Sequence, residues 1–262
     1  MLEVKDLRIK FITRPDKWAV DGVSFDIADG EILGLVGESG SGKTVTAMAI
    51  SGLMPRYKTE FFGNINLDGR EMLDTESAEI RDMRGKTVAV VFQEPMTALD
   101  PVMRIGRQVE ESLRVHNPKM SASELKQHAL NAMTSAGLYD VENLYNKYPH
   151  ELSGGMLQRV CIAAAIISHP KLLIADEPTT ALDVTTQAHI IELLKKINKD
   201  YGTSILFISH NLAVVHALCH RVVVMKKGKI VEQGDVEELY NNPSHPYTKQ
   251  LLAAVPRRDK RY

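Results

Sequence analysis

The sequence predicts an α/β fold, a parallel sheet covered by helices, with an antiparallel β region at its N-terminal side and an inserted helical lobe. Three observations predict it. Short apolar runs end at glycine or acidic clusters, helical patterns follow those runs, and a longer, more polar helical stretch interrupts the series. Strands that alternate with helices argue for a parallel sheet covered on both faces. A chain of 262 residues, 44 % of them hydrophobic, can bury the core of one domain or of one domain with an inserted lobe.

The elements follow in order. Residues 1 to about 36 read as strands: Leu2 to Ile9 and Ala19 to Ile27 partly alternate, Asp29-Gly30 signals a turn, and Ile32 to Val36 is a short apolar run. A helix pattern runs from Val45 to about Leu53. From Arg56 to Val91 the chain reads as short strands and turns, with a charged helix near Thr75 to Met83 and an apolar strand over Lys86 to Phe92. Thr97 to Leu152 is helical and more polar, punctuated by Pro118 and Pro149. Then come a helix (Met156 to Ser168), a strand (Lys171 to Ala175), a helix (Thr185 to Tyr201), a strand (Ser204 to Ile208), a helix (Leu212 to His220) and a strand (Arg221 to Met225). Lys226-Lys227-Gly228-Lys229 reads as a solvated turn between strands. Arg257 to Tyr262 is a charged tail, expected to fray.

The bulk charge narrows the function classes. Net charge is −1, whereas a protein that holds polyanions by counterion release carries a clear basic excess. Nucleic acid is therefore disfavoured as the main partner. The two cysteines, Cys161 and Cys219, stand far apart in apolar, helix-like contexts and read as buried small hydrophobes. Acids at Glu3 and Asp6 argue against a signal peptide. No run approaches the roughly 18 apolar residues of a membrane span. A role at a membrane would require another chain to hold this one there.

Chemistry concentrates first in Gly37-Glu38-Ser39-Gly40-Ser41-Gly42-Lys43-Thr44, a G-x-x-x-x-G-K-[ST] loop between a predicted strand and a predicted helix. Glycines let the backbone curl so that successive N–H groups face phosphate oxygens, and the helix start adds its positive end. Lys43 is suited to the β- and γ-phosphates and the Thr44 hydroxyl to Mg²⁺. The strand Leu172 to Ala175 then ends in Asp176-Glu177. Strand-end acids are common turn formers, but in a sheet with such a loop ligands bind outside the carboxyl ends of the strands. Asp176 is the candidate Mg²⁺ holder and Glu177 the group that polarises the attacking water.

Leu152-Ser153-Gly154-Gly155-Met156-Leu157-Gln158-Arg159 resembles the signature loop of ATP-binding-cassette ATPases, and it precedes the strand-end acids as in that family. Gln93 in Val91-Phe92-Gln93-Glu94-Pro95 matches the family's Q-loop, Ala181-Leu182-Asp183 its D-loop, and His210 in Ile208-Ser209-His210-Asn211 its switch histidine. The resemblance covers nearly the whole chain. It implies a P-loop NTPase (RecA-like) core over residues 1–93 and 153–240, a helical subdomain at 94–152 and a C-terminal extension at 241–262, all in one ATPase domain. It also implies the roles: Ser153, Gly154 and Gly155 bind the γ-phosphate of ATP held by an opposing subunit, and Asp183 reaches across the dimer. Gln93 contacts Mg²⁺ and water, and His210 holds the γ-phosphate and helps orient Glu177. An aromatic residue normally stacks on adenine; spacing places it near Arg14, so Phe11 and Trp18 are the nearest candidates.

Tyr148-Pro149-His150-Glu151 and His245-Pro246-Tyr247-Thr248 narrow the resemblance to the ATPase subunits of oligopeptide, dipeptide and nickel importers. Met156 to Arg159 leans towards the nickel branch. The cysteine cluster that carries an iron–sulfur centre in longer relatives is missing, so no cluster is expected. The implied partners are a second, non-identical ATPase, two membrane permease subunits and an extracytoplasmic solute-binding protein, with this chain peripheral on the cytoplasmic face. Gln93 and Glu151 are expected to report nucleotide state to a permease helix, and Met103 and Val109 to lie on the lobe surface that receives it. The alternative class is a non-transport cassette ATPase acting on DNA or the ribosome; one cassette, no heptad run and a neutral charge argue against it. His216, Cys219 and His220 have metal-ligand chemistry at helical spacing, but they read as a helix packing face.

Overall fold

The computed structural model describes residues 1–180 and 182–254; Ala181 of the expected D-loop and the charged tail Arg257 to Tyr262 lie outside the described residues. The chain divides into two compact units, Met1–Thr75 with Leu206–Tyr262, and Glu76–Ile205.

In the first unit, β1 (Leu2–Phe11) pairs antiparallel with β2 (Trp18–Ile27) on one side and with a later strand, Thr59–Leu67, on the other. Leu2, Val4, Leu7 and Ile9 are buried while Glu3 and Lys5 are exposed. The alternation slips once, between Val4 and Leu7, where the register shifts and Asp6 takes φ +43°. One extra residue in the strand returns Leu7 to the buried face, which is why the sequence alternates only in part. Next along the chain come β3 (Ile32–Val36), α1 (Lys43–Ile50), β4 (Thr59–Leu67) and the short β5 (Arg70–Glu71). The antiparallel sheet has the order β2-β1-β4-β5.

The second unit contains α2 (Ala78–Met83), β6 (Val88–Val91) and then only helical elements up to the next strand: α3 (Pro95–Ala98), α4 (Ile105–His116), α5 (Ala122–Ser135), α6 (Val141–Leu144) and α7 (Gly154–Ile166). After these, β7 (Leu172–Asp176) runs parallel to β6, with Val88 opposite Leu172 and Val91 opposite Ala175. The long α8 (Val184–Tyr201) follows. Among the lobe helices, α5 opens on a capping box: Ser121 Oγ accepts from the Glu124 N–H and the Glu124 carboxylate accepts from the Ser121 N–H. Val109, expected on the lobe surface, is instead fully buried. Ile105, Val109 and Leu113 recur every fourth residue, so they share the α4 stripe that packs on α5 and α7. Met103 is 37 % exposed, as expected. Beside Val109, the buried Glu110 carboxylate meets Arg107, Arg114 and the Tyr145 hydroxyl, so the buried charge is paired.

The chain then passes through β8 (Ser204–Ser209) and returns to the first unit with α9 (Leu212–Leu218), β9 (Arg221–Lys226), β10 (Lys229–Asp235), α10 (Val236–Asn241) and α11 (Pro246–Ala253). Every residue of β3, β7 and β8 is buried, as their unbroken apolar runs require. β3 is parallel to β9, and β9 is antiparallel to β10 through the two-residue turn Lys227-Gly228, both at positive φ. The turn expected between strands at Lys226 to Lys229 is thus a hairpin, while the bounds of β10 and the helices α10 and α11 are additions to the sequence reading. No helix among the described residues is long and apolar enough to cross a membrane.

Candidate functional site

The Gly37–Thr44 loop joins the C-terminal end of β3 to the first turn of α1. Two of its glycines are sterically required. Gly37 has φ +156°, and a Cβ there would stand 2.2 Å from the Met225 carbonyl oxygen. Gly42 has φ +108°, and its Cβ would stand 2.6 Å from the Ala19 carbonyl oxygen. Gly42 stands at the start of α1 and, lacking a side chain, offers that start no side-chain cap. Lys43 is 5 % exposed and curls back over the loop: its Nζ donates to the Gly37 carbonyl at 2.8 Å and to the Glu38 carbonyl at 3.1 Å. Glu38, Ser39, Gly40 and Thr44 are exposed, whereas the Ser41 hydroxyl is buried without a hydrogen-bond partner. The Ser41 carbonyl accepts from the Gly228 N–H at 2.9 Å, which ties the loop to the β9–β10 turn.

His210 also belongs to the first unit, exposed at the residue after β8. The next residue, Asn211, caps α9 by accepting from the Ala213 N–H at 3.0 Å, which fixes where the strand ends. Of the two adenine candidates, Trp18 is half-buried, with its ring edge-on to Phe62 and Lys10 Nζ 5.5 Å from its centroid. Trp18 directly precedes Ala19, whose carbonyl borders Gly42. Phe11 lies at the end of β1 opposite Thr59.

The second unit carries the acids. Asp176 is the last residue of β7 and 5 % exposed. Glu177 follows at φ +47°, a left-handed conformation that a non-glycine residue holds only at an energetic cost, and its carboxylate accepts from the Thr180 hydroxyl at 3.0 Å. Gln93 is exposed just beyond β6.

The same unit brings together two further predicted elements. Ser153 is the N-cap of α7, its Oγ accepting from the Met156 N–H at 3.4 Å. Asp183 is the N-cap of α8, accepting from the Thr186 N–H at 3.0 Å and from the Thr186 hydroxyl at 2.6 Å. Those bonds, led by the hydroxyl, hold the Asp183 carboxyl below the ordinary aspartate range. A Cβ on Gly155 would stand 2.9 Å from Thr186 Cγ2, so the Ser-Gly-Gly turn and the start of α8 adjoin. Nothing lies within 4 Å of a Cβ on Gly154.

Residues 20–180 match the ABC transporter family, and residues 231–262 match the oligopeptide/dipeptide transporter C-terminal region. The chain belongs to the ABC transporter family. It is an ATPase of that family. The chain is 46 % identical over 257 residues to the dipeptide transport ATP-binding protein DppD of Lactococcus lactis, with 98 % of this chain and 74 % of that protein covered. It is 48 % identical to the oligopeptide transport ATP-binding protein OppD of Bacillus subtilis (98 % and 72 %) and 44 % identical to OppD of Escherichia coli (99 % and 77 %). Among solved structures, it resembles a dimeric ATP-binding cassette in a post-hydrolysis state bound to ADP and Pi. That match has a TM-score of 0.80 and 30 % identity, covering 90 % of this chain and 99 % of that one.

The ABC ATPase also has a residue at its nucleotide loop that sequence reasoning quoted only for its resemblance. Tyr247, on α11, is 2 % exposed, and its hydroxyl oxygen accepts from the Glu38 N–H at 3.0 Å. The partners are 209 residues apart, so no local pattern could pair them. The helix expected over Leu212 to His220 ends at Leu218, so of the three residues with metal-ligand chemistry only His216 lies on it, with Cys219 at its C-cap and His220 beyond. His216 pairs with Glu237 and stacks on Tyr240, and the His220 Nδ1 accepts from the Ile32 N–H at 3.0 Å. Cys219 is buried, which raises its thiol well above the ordinary range. Cys161 is buried as well, and burial pushes its thiol up to about 12.

Proposed function

We propose that this ABC ATPase is the ATP-hydrolysing motor of a peptide importer. The observation that carries the reading is the Gly37–Thr44 loop: positive-φ glycines that no other residue can replace, an uncapped helix start, and a lysine held by the loop's own carbonyls. Such a cradle fits a polyphosphate. Lys43 neutralises charge on the β- and γ-phosphates. Thr44, Gln93 and Asp176 offer a hydroxyl, an amide and a carboxylate, the oxygen donors a hard divalent cation takes. Mg²⁺ held by them would supply further charge neutralisation on the phosphate oxygens. Glu177 accepts a hydrogen bond from the attacking water and then its proton as the bond between Pγ and the bridging oxygen breaks. His210 hydrogen-bonds the γ-phosphate. The strained φ of Glu177 supports a functional role, because such a conformation survives where its geometry is needed. We assign adenine stacking to Trp18 rather than Phe11, since the backbone next to Trp18 borders the loop.

Ser153, Gly154, Gly155 and Asp183 serve the ATP of a second, homologous ATPase. The adjoining of their two helix starts supports this, because one partner surface can then meet both. Two permease subunits and an extracytoplasmic binding protein complete the machine, with this chain peripheral on the cytoplasmic face. Peptide is favoured over nickel as cargo because the relatives cited are dipeptide and oligopeptide transport proteins. The test is ATPase rate and labelled-peptide uptake in proteoliposomes for wild type and Glu177→Gln. The variant is expected to bind ATP but lose hydrolysis by about a hundredfold or more. Hydrolysis at the wild-type rate would overturn the role of Glu177, and uptake of nickel but not of peptides would overturn the cargo.

A further inference from the structure

Tyr247 is a buried phenol on a helix outside the nucleotide loop. Its hydroxyl meets the N–H of the peptide bond between Gly37 and Glu38. The carbonyl of that same peptide bond accepts from Lys43 Nζ at 2.8 Å. A peptide unit is planar and rigid, so fixing the direction of its N–H fixes the direction of its C=O. The Tyr247 hydroxyl therefore sits on one edge of a rigid plate whose other edge holds the phosphate-binding lysine. The next carbonyl, of Glu38, accepts from Lys43 Nζ and from the Ser41 N–H, both at 3.1 Å, so the constraint passes into the body of the loop.

The phenol is itself anchored. Lys226 Nζ lies 4.2 Å from its ring centroid, a cation–π distance. α11 begins with Pro246, and His245 Nδ1 caps it by accepting from the Tyr247 N–H at 3.1 Å. The turn before it is pinned to β10: the Glu232 carboxylate accepts from the Ser244 N–H at 2.7 Å, the Ser244 hydroxyl at 2.8 Å and the His245 N–H at 3.1 Å. All of these residues lie in the segment from the end of β9 through α11. A residue that merely filled the core would need the ring but not the hydroxyl.

We propose that Tyr247 is a positioning residue for the phosphate-binding loop, through which the C-terminal segment sets the affinity of Lys43 and its loop for the phosphates of ATP. The proposal rests on the reading of Gly37–Thr44 as the ATP site and adds to it a residue and a segment that the loop motif does not include. Tyr247→Phe keeps the ring over Lys226 and removes only the acceptor, which leaves a part-buried N–H unsatisfied and frees the Gly37–Glu38 peptide to turn.

The experiment is calorimetric titration of Mg-ATP into the full chain, wild type and Tyr247→Phe, with thermal midpoints measured without nucleotide. The expected result is a Kd raised about 5- to 10-fold at unchanged stoichiometry. A purely structural role would lower the stoichiometry, as part of the sample unfolds, and leave the Kd of the remainder alone; that result overturns the proposal, as does wild-type affinity in the variant. Glu232→Gln keeps the phenol but slackens the turn that carries it. It is expected to move the Kd in the same direction by about 2- to 3-fold, and an unchanged Kd would count against the C-terminal segment as the anchor. A wild type that does not bind Mg-ATP at all would overturn the loop reading itself, and with it this one, and is distinguished by the wild-type titration alone.

Discussion

Two glycine-rich turns open helices in this protein, and they are built to opposite specifications. The Gly37–Thr44 loop is closed: Gly37 and Gly42 have backbone conformations and neighbours that exclude a Cβ, the lysine is folded back onto loop carbonyls, and Tyr247 holds it from behind. The Ser153-Gly154-Gly155 turn is open at Gly154, although Gly155 packs against Thr186. Its serine caps its own helix through a long bond, Gly154 has ordinary backbone dihedrals, and its Cβ would meet nothing within 4 Å. A closed cradle carries its ligand requirement within one chain. An open turn with a glycine that its own chain does not require has a steric reason for that glycine only if something approaches from outside. That is the physical support for reading the second turn as a contact to a nucleotide on a partner subunit.

The sharpest break of that comparison is alanine at each turn. Gly42→Ala forces a left-handed alanine against a backbone carbonyl, and strain plus overpacking should remove about 2–5 kcal/mol of stability. Thermal unfolding and Mg-ATP titration are expected to show a lowered midpoint and lost binding. Gly154→Ala should leave stability unchanged or raise it by roughly 0.5–1 kcal/mol, since alanine is the better helix former. The same variant should still bind Mg-ATP as an isolated chain yet hydrolyse it poorly in the assembled transporter. If Gly154→Ala destabilises the isolated chain as much as Gly42→Ala, the open turn is structural and the contrast fails.

The second variant pair concerns the cap. Ser153→Ala removes a bond of 3.4 Å, so its cost should lie at the low end for an N-cap, about 0.5 kcal/mol. Ser121→Ala breaks a complete capping box on α5 and should cost more, about 1 kcal/mol. Denaturant unfolding of the two variants measures the difference. A larger loss at Ser153 would mean that the signature turn is held by its serine in the resting chain rather than kept available for a ligand.

How legible these features were depends on whether they are local. The nucleotide loop could be read because glycine spacing, an apolar strand before it and a helix pattern after it are all short-range signals. The buried runs of β3, β7 and β8 were legible for the same reason. The turn before β10 could be read, but the extent of β10 could not, because Lys229 to Asp235 is a half-exposed strand whose character comes from pairing with β9. Asp6 broke the N-terminal alternation through a bulge that no composition announces. Val109 is different. Its spacing with Ile105 and Leu113 already marked a core stripe, and reading it as lobe surface set an expectation drawn from a likeness above the periodicity. Tyr247 lay in a quoted motif, yet its partner stands at the other end of the chain, where only folding brings it.

The smallest expected effect distinguishes the two turns by pH. Asp183 caps α8 beside the open turn, and its carboxyl is held below the ordinary aspartate value of 3.8 chiefly by the Thr186 hydroxyl and then by the Thr186 N–H. A carboxyl depressed in the folded state contributes stability that is fully present above its unfolded value and is lost as pH falls through its folded value. The contribution should therefore persist at neutral pH and fade on acidification below about 3.8. Asp183→Asn keeps a capping side chain but cannot titrate, so its stability relative to wild type should rise as pH falls through that window. Because the group is exposed, added salt should shrink the difference. Unfolding curves of wild type and Asp183→Asn across the acid range measure it. A difference that stays constant with pH would mean that Thr186 binds the two side chains equally well, and that charge at the start of α8 has no part in how the open turn is held.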